Sequence, residues 1–406
     1  MIKNRFGKIF ALVIFLMIVI AGFLPILVDS RITEIDIDEE IKSLMNQAKI
    51  PSISACIVKN DSVVWYKGYG FYNSFWRWKP NKNTVYDIGS ITKAFTATAL
   101  MQLYEQGLFD LDDDVSNYLP YTLRNPKYPD TKITFRMLLS HQSSLPLTWQ
   151  KEWPRLAIAF ILNYLMGKTT PSLKEYFVPG GCLYHPEVWT DNMPGDVFNY
   201  SNAGYMILAY LIEKLSGQTF ESYIKEHIFE PLEMHNTSFH IGDFNRKQLA
   251  VPFLEKKIFH LYYFLIRFPM FNCEFGAGGI FSSIEDLSHF FIAHMNNGTY
   301  NGVRILENSS IKLMHTIQYP NKGYPELFIT WPTNWYYGLG WMFMNESGTM
   351  LQGHGGDSFG FQARMFYNET DKTGIIFLLN RAMSKLEYME ITENLIQLFL
   401  LKAEEL

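Results

Sequence analysis

The chain has 406 residues, 48% of them apolar and 16% aromatic, enough to bury a sizeable core and more than one minimal domain needs. Its net charge of -5 is small for that length, and no basic run marks it for nucleic acid. It has no internal repeat and no long low-complexity segment, which argues against a solenoid or a disordered scaffold.

The N-terminus departs from this average. Lys3, Arg5 and Lys8 precede an apolar run from Ile9 to Val28, and no charge follows until Asp29. About 20 such residues cross a bilayer as a helix. Residues 1–30 are therefore expected to be an uncleaved membrane anchor, with a cleaved signal segment as the alternative. The positive flank would stay cytoplasmic and place everything after Ser30 outside.

Ile53 to Lys59 and Val63 to Tyr69 read as paired strands around an Asn60-Asp61 turn. Ile91 to Gln106 turns helical, with Gly107 as its C-terminal stop, and Asp110 to Asp114 reads as a loop or a new helix start. Further helices are expected at Tyr205 to Leu215, ended by Gly217, and at Phe220 to Phe229, ended by Pro231. Trp149 to Pro194, with its aromatics and Pro179-Gly180-Gly181, reads as a long loop near a functional surface. A helix from Ser283 to Asn296 follows, then strands at Gly338 to Met344, Ala363 to Tyr367 and Gly374 to Leu379. A helix from Lys385 to Leu401 closes the chain. Strands at both ends with helices between them imply an α+β fold. One sheet lobe (about 40–110 and 271–406) would carry a mainly helical second lobe (about 111–270), together forming one unit over 31–406. Cys56, Cys182 and Cys273 are an odd count without metal-ligand spacing, and Cys56 reads as a small core residue.

Three short segments carry the chemistry. Gly89-Ser90-Ile91-Thr92-Lys93 puts a serine and a lysine three residues apart at a helix start, on one face and near its positive end. A serine needs an adjacent base, and a lysine serves once its surroundings lower its pKa. Phe198-Asn199-Tyr200-Ser201-Asn202 enters the helix at Tyr205; Tyr200 could relay a proton, and Asn202 could donate to a substrate carbonyl. Gly353-His354-Gly355-Gly356-Asp357 lets a backbone approach closely and present N–H groups, as an oxyanion hole on a strand edge requires. Each has a plain alternative: an N-cap serine with a solvated lysine, a half-buried aromatic, a glycine-rich turn.

In this order the three resemble the S-x-x-K, Y-x-N and K/H-T/G-G motifs of the serine β-lactamase and penicillin-binding-protein family. The resemblance runs over about residues 40–400 and takes in Leu138 to Pro146, Phe229 to Met234, Gly276 to Ser283 and Tyr337 to Trp341. It implies an antiparallel sheet flanked by helices, plus a helical lobe. It also implies a serine hydrolase acting on esters or amides through an acyl-enzyme on Ser90, with Lys93 and Tyr200 sharing the proton transfers. Asn202 would orient Lys93 and substrate. The N–H groups of Ser90 and Asp357, beside Gly356, would hold the oxyanion, and His354 would take the place of the family's lysine or histidine. No metal or cofactor is implied; the partners would be a small ester, amide or peptide substrate and the membrane. A slowly deacylating penicillin-binding sensor is the alternative. Three residues depart from the pattern. His354 replaces the lysine of true β-lactamases, and its charge would vary near neutral pH. Ser144 stands where glycine is usual, and Asp357 sets a carboxylate beside the oxyanion hole.

Overall fold

The computed structural model describes residues 36–146, 172–253, 276–318, 335–346, 348–358, 360–381 and 385–406. The apolar run of 9–28 lies outside them, as do 149–171 of the expected loop; among the described residues no helix is long and apolar enough to cross a membrane.

In chain order the strands are β1 (Ser52–Lys59), β2 (Ser62–Gly70), β3 (Val85–Asp87), β4 (Phe281–Ser283), β5 (Thr299–Tyr300), β6 (Val303–Arg304), β7 (Trp335–Tyr337), β8 (Met342–Glu346), β9 (Thr349–Ser358), β10 (Phe361–Asn368) and β11 (Thr373–Leu379). The helices are α1 (Ile37–Gln47), α2 (Thr92–Glu105), α3 (Phe135–Leu139), α4 (Leu173–Phe177), α5 (Asn202–Ser216), α6 (Phe220–Ile224), α7 (Ile284–Met295), α8 (Asn308–Met314) and α9 (Lys385–Glu404).

Seven strands form one antiparallel sheet in the order β2-β1-β11-β10-β9-β8-β7. The first strand of the chain thus pairs with the last, and distant segments assemble one sheet as expected. β1 and β11 are apolar without alternation because both faces of the sheet are covered. On one face Ile53, Ala55, Ile57, Ile375 and Phe377 meet α1 and α9 through Ile41, Met45, Leu395 and Phe399. On the other, Cys56, Val58, Ala363, Met365 and Ile376 belong to a core that takes in α2 and α7. That core continues unbroken through Phe135, Tyr176, Leu208 and Tyr223 into the helical part. α2 is buried on all sides from Thr92 to Met101, as suits a helix at the centre of such a core.

Local signals set most element ends. Gly217 takes a left-handed φ of 73° after α5, and Ser283 caps α7 through the Asp286 N–H. Two expectations need correction. The helix expected over Phe220 to Phe229 is α-helical only to Ile224 and then widens into a π turn over Lys225–Phe229, with the Glu230 N–H reaching back to the Lys225 carbonyl ahead of Pro231. The single strand expected at Gly338 to Met344 is instead the turn between β7 and β8 followed by the start of β8. Gly338 N–H closes on the Trp341 carbonyl at 2.7 Å, and Gly340 turns the chain with φ 70°, where a Cβ would lie 2.3 Å from that of Ala97.

Candidate active site

Ser90 sits in a 3₁₀ turn, Gly89–Ile91, that leads into α2. Lys93, one turn on, is fully buried, and its ammonium nitrogen donates to Ser90 Oγ at 3.0 Å and to the Ala277 carbonyl at 2.7 Å. Thr92 Oγ1 donates to the Gly89 carbonyl at 2.7 Å and Thr96 Oγ1 to the Gly276 carbonyl at 2.7 Å, so the Gly276 to Ser283 segment lies along this end of α2.

Tyr200 precedes α5, whose N-cap is Ser201. Its ring is buried 4.9 Å from Lys93 Nζ, and its hydroxyl shares a hydrogen bond with Ser90. Burial pushes that hydroxyl's pKa up, the Ser90 hydrogen bond works against the rise, and the Asp357 charge adds to it.

His141 fixes the backbone on both sides of Tyr200. Its carbonyl accepts from Asn199 N–H at 2.7 Å and its Nδ1 from Ser201 N–H at 2.9 Å, while its ring packs 4.2 Å from the Tyr200 ring. Burial, then the Lys93 charge, holds its pKa well below the usual histidine value. With Nδ1 an acceptor, the one ring proton is on Nε2. Sequence reasoning flagged this loop without giving His141 a role; its left-handed φ of 60° leaves no one-dimensional signal.

Ser144 is likewise left-handed, with φ 65°, where the family pattern has glycine. Its hydroxyl offsets the strain with contacts: it donates to the Asn192 carbonyl at 2.6 Å, accepts from Asn125 Nδ2 at 2.7 Å and lies 3.1 Å from Thr190 Oγ1.

The glycine-rich segment is the second half of β9. β8 pairs with β9 only as far as Gly353, so residues 354–358 keep a strand edge that faces the Ser90 turn. The fit is close: a Cβ on Gly356 would lie 1.9 Å from the Ile88 carbonyl oxygen and 3.0 Å from Ser90 N, and one on Gly89 2.8 Å from Asp357 N. Gly89, with φ 51°, requires glycine on both counts. Buried Asp87, which sequence reasoning missed, ties the two segments. One carboxylate oxygen accepts from Gly89 N–H at 2.9 Å and the other from the Ser358 hydroxyl.

Three expectations about the remaining residues change. His354 is fully buried: Nδ1 donates to the Gly355 carbonyl at 2.6 Å, so Nε2 accepts from the Tyr337 hydroxyl at 2.9 Å. Burial and the Lys93 charge push its pKa down to about 3, so it is neutral near pH 7 instead of titrating there. Asn202 Oδ1 is buried without a hydrogen-bond partner among the described residues, and the Ala277 carbonyl does the holding of Lys93 expected of Asn202. Asp357, its side chain 51% exposed, is paired at 3.2 Å with the buried guanidinium of Arg364, which also donates to the Gly356 carbonyl at 3.0 Å. Arg364 therefore offsets part of the Asp357 charge and braces the strand beneath it. Of the loop aromatics expected near a functional surface, Trp149, Trp153, Phe160 and Tyr164 lie outside the described residues. Trp341 is core, stacked against the rings of both His294 and His315 at 4.5 Å from each.

The sequence matches the family model described as Beta-lactamase over residues 37–395. Protein flp of Staphylococcus aureus (strain MW2) is 28% identical over 353 residues, covering 85% of this chain and 62% of that protein. This chain therefore spans less than two thirds of that relative's length. An octameric penicillin-binding protein homologue from Pyrococcus abyssi superposes with a TM-score of 0.69 at 29% identity, covering 90% of this chain and 76% of its own. A class C beta-lactamase superposes with a TM-score of 0.67 over 89% of this chain and 94% of its own. At 18% identity that last likeness speaks for the fold alone.

Proposed function

This chain belongs to the beta-lactamase family, and on that premise we propose that it is a serine hydrolase that cleaves neutral esters or amides through an acyl-enzyme on Ser90. The observation that carries the reading is the meeting of Ser90 Oγ with Lys93 Nζ at 3.0 Å and with the Tyr200 hydroxyl, beside the open edge of β9.

In this reading Lys93, as the free amine, keeps a proton on the Ala277 carbonyl and turns its lone pair to the Ser90 hydroxyl. Lys93 takes the Ser90 hydroxyl proton as Oγ attacks the substrate carbonyl. The Ser90 and Asp357 N–H groups stabilise the oxyanion from a site assembled in advance, so no reorganisation is needed as charge develops. Tyr200, whose raised pKa keeps it protonated, donates to the leaving group and regains a proton from Lys93; water then attacks the acyl carbonyl, its proton passing through the same pair to Ser90 Oγ as the acid departs. His354 acts from beneath as a neutral support for Tyr337 and offers no charge to a substrate carboxylate, which supports neutral substrates over penicillins. The apolar run of 9–28 supports an enzyme tethered to a membrane with its site outside.

Wild type and Ser90→Ala protein are compared by fluorophosphonate and fluorescent-penicillin labelling, and by kcat/KM on a p-nitrophenyl ester, D-amino-acid anilides and nitrocefin. The alanine variant should lose labelling and at least about 10³-fold in turnover while staying folded. Retained turnover overturns the assignment of Ser90. A wild-type preference for nitrocefin overturns the substrate class, and a burst without steady turnover would mark a slowly deacylating binder.

A further inference from the structure

β2 ends in a short closed turn that holds aromatic side chains out in solvent. Asn73 and Trp78 bridge its base, with Tyr72 N–H on the Trp78 carbonyl at 2.9 Å and Trp76 N–H on Asn73 Oδ1 at 3.0 Å. The base is bound to the body by the Tyr72 hydroxyl, which donates to the Lys247 carbonyl at 2.5 Å, and by Val251 N–H on the Tyr72 carbonyl at 2.9 Å. At the tip Phe75 is 82% exposed and Trp76 62% exposed, packed edge to face on each other at 4.8 Å, with Trp76 stacked on Trp78 at 6.1 Å. Single exposed apolar side chains are ordinary, but two adjacent aromatics on a pre-formed projection mark a contact surface.

The charge within the segment that carries the tip is of one sign. No aspartate or glutamate occurs between Asp61 and Asp87, although the whole chain carries -5. Within that span Lys67 pairs with Asp38 and Lys82 with Glu285, while Arg77 lies 4.4 Å over the Phe71 ring and Lys79 is exposed beside it. Tryptophan and phenylalanine with adjacent arginine and lysine suit the boundary between headgroups and acyl chains of an anionic bilayer.

Chain connectivity places such a bilayer nearby. The first described residue, Asp36, caps α1, and Asp38 in its first turn is bound to Lys67 and Tyr69 on β2, a few residues before the tip. Only Asp29 to Ile35 separate Asp36 from the apolar run, a reach of at most about 25 Å when extended. We propose that the Phe75-Trp76-Arg77-Trp78-Lys79 tip docks in the interface of an anionic membrane and, with the apolar run, fixes the orientation of the domain on the bilayer.

The apolar run contains no tryptophan, so tryptophan quenching by brominated lipid reports contact by the globular part alone. The full chain is reconstituted in phosphatidylcholine vesicles with a minority of phosphatidylglycerol, part of the lipid brominated close to the headgroup. Wild type should be strongly quenched, and Phe75→Ser with Trp76→Ser should lose most of that quenching while keeping hydrolysis of a soluble ester. Arg77→Glu with Lys79→Glu, which leaves the aromatics in place, should lose quenching on the anionic vesicles. Undiminished quenching in either variant, or none in wild type, overturns the proposal. So does a change of oligomeric state in detergent with quenching intact, which would make the tip a contact between protein copies. Unchanged ester hydrolysis throughout keeps this outcome separate from the assignment of Ser90.

Discussion

Acid should unfold this protein at a pH where most proteins are still stable, and the cause is four buried histidines. His141, His294, His315 and His354 are all held neutral, chiefly by burial, with pKa values pushed down to about 3 for His294 and His354. Two of them form a chain in the core. His294 Nε2 meets Thr98 Oγ1 at 3.0 Å, His294 Nδ1 meets His315 Nε2 at 3.2 Å, and His315 Nδ1 meets the Tyr367 hydroxyl at 3.1 Å, so the neutral rings satisfy all four nitrogens. In the unfolded chain each ring binds a proton below its ordinary value of 6.5. Between the folded and unfolded values only the unfolded state takes up protons, so stability is present above about pH 6.5 and is lost as pH falls through it. His294 and His354 then each remove about 1.4 kcal/mol per pH unit, or about 2 kcal/mol by pH 5 and about 4 kcal/mol together, and His141 and His315 act in the same direction. That is a large part of a whole domain's stability of about 5–15 kcal/mol. The carboxylates held low by their partners, Asp112 by Arg136 and Asp113 by the Asp110 backbone, contribute only as pH falls towards 4, so this window belongs to the histidines. Urea unfolding at intervals from pH 7.5 to 5 should show a slope that grows to two protons or more, and His294→Gln should reduce it by about one. Flat stability over this range, or imidazole NMR titrations near 6.5 in the folded protein for these four rings, would refute the reasoning.

Other predictions concern the site. Gly356→Ala forces a Cβ onto the Ile88 carbonyl, so it should part β9 from the Ser90 turn and cut ester turnover by about 10²-fold or more without unfolding; normal kinetics would contradict it. Asp87→Ala leaves the Gly89 N–H and the Ser358 hydroxyl without this acceptor, and should lower urea stability by about 2–4 kcal/mol and slow fluorophosphonate labelling of Ser90. Because His354 stays neutral, the ratio of kcat/KM for nitrocefin to that for a neutral ester should carry no step between pH 6 and 8 that His354→Gln removes; such a step would show His354 titrating in the site.

What the sequence determined by itself was whatever a few neighbouring residues decide. The Asn60-Asp61 turn, the glycine stop after α5 and the adjacency of Ser90 and Lys93 rest on turn chemistry, capping and helical spacing, and each is where local reasoning put it. Local reasoning failed at the β7–β8 hairpin, where Gly340 turns the chain against Ala97 of α2. The state of the site lay beyond the sequence. Lys93 is held by the carbonyl of Ala277, 184 positions away, and Tyr200 by His141, while Asp357 is offset by an arginine on the neighbouring strand. His354 read as a titrating group because its neighbours in sequence are glycines. In the fold it lies beneath Tyr337 and near Lys93, and the loss of water there, which no local pattern encodes, removes its charge.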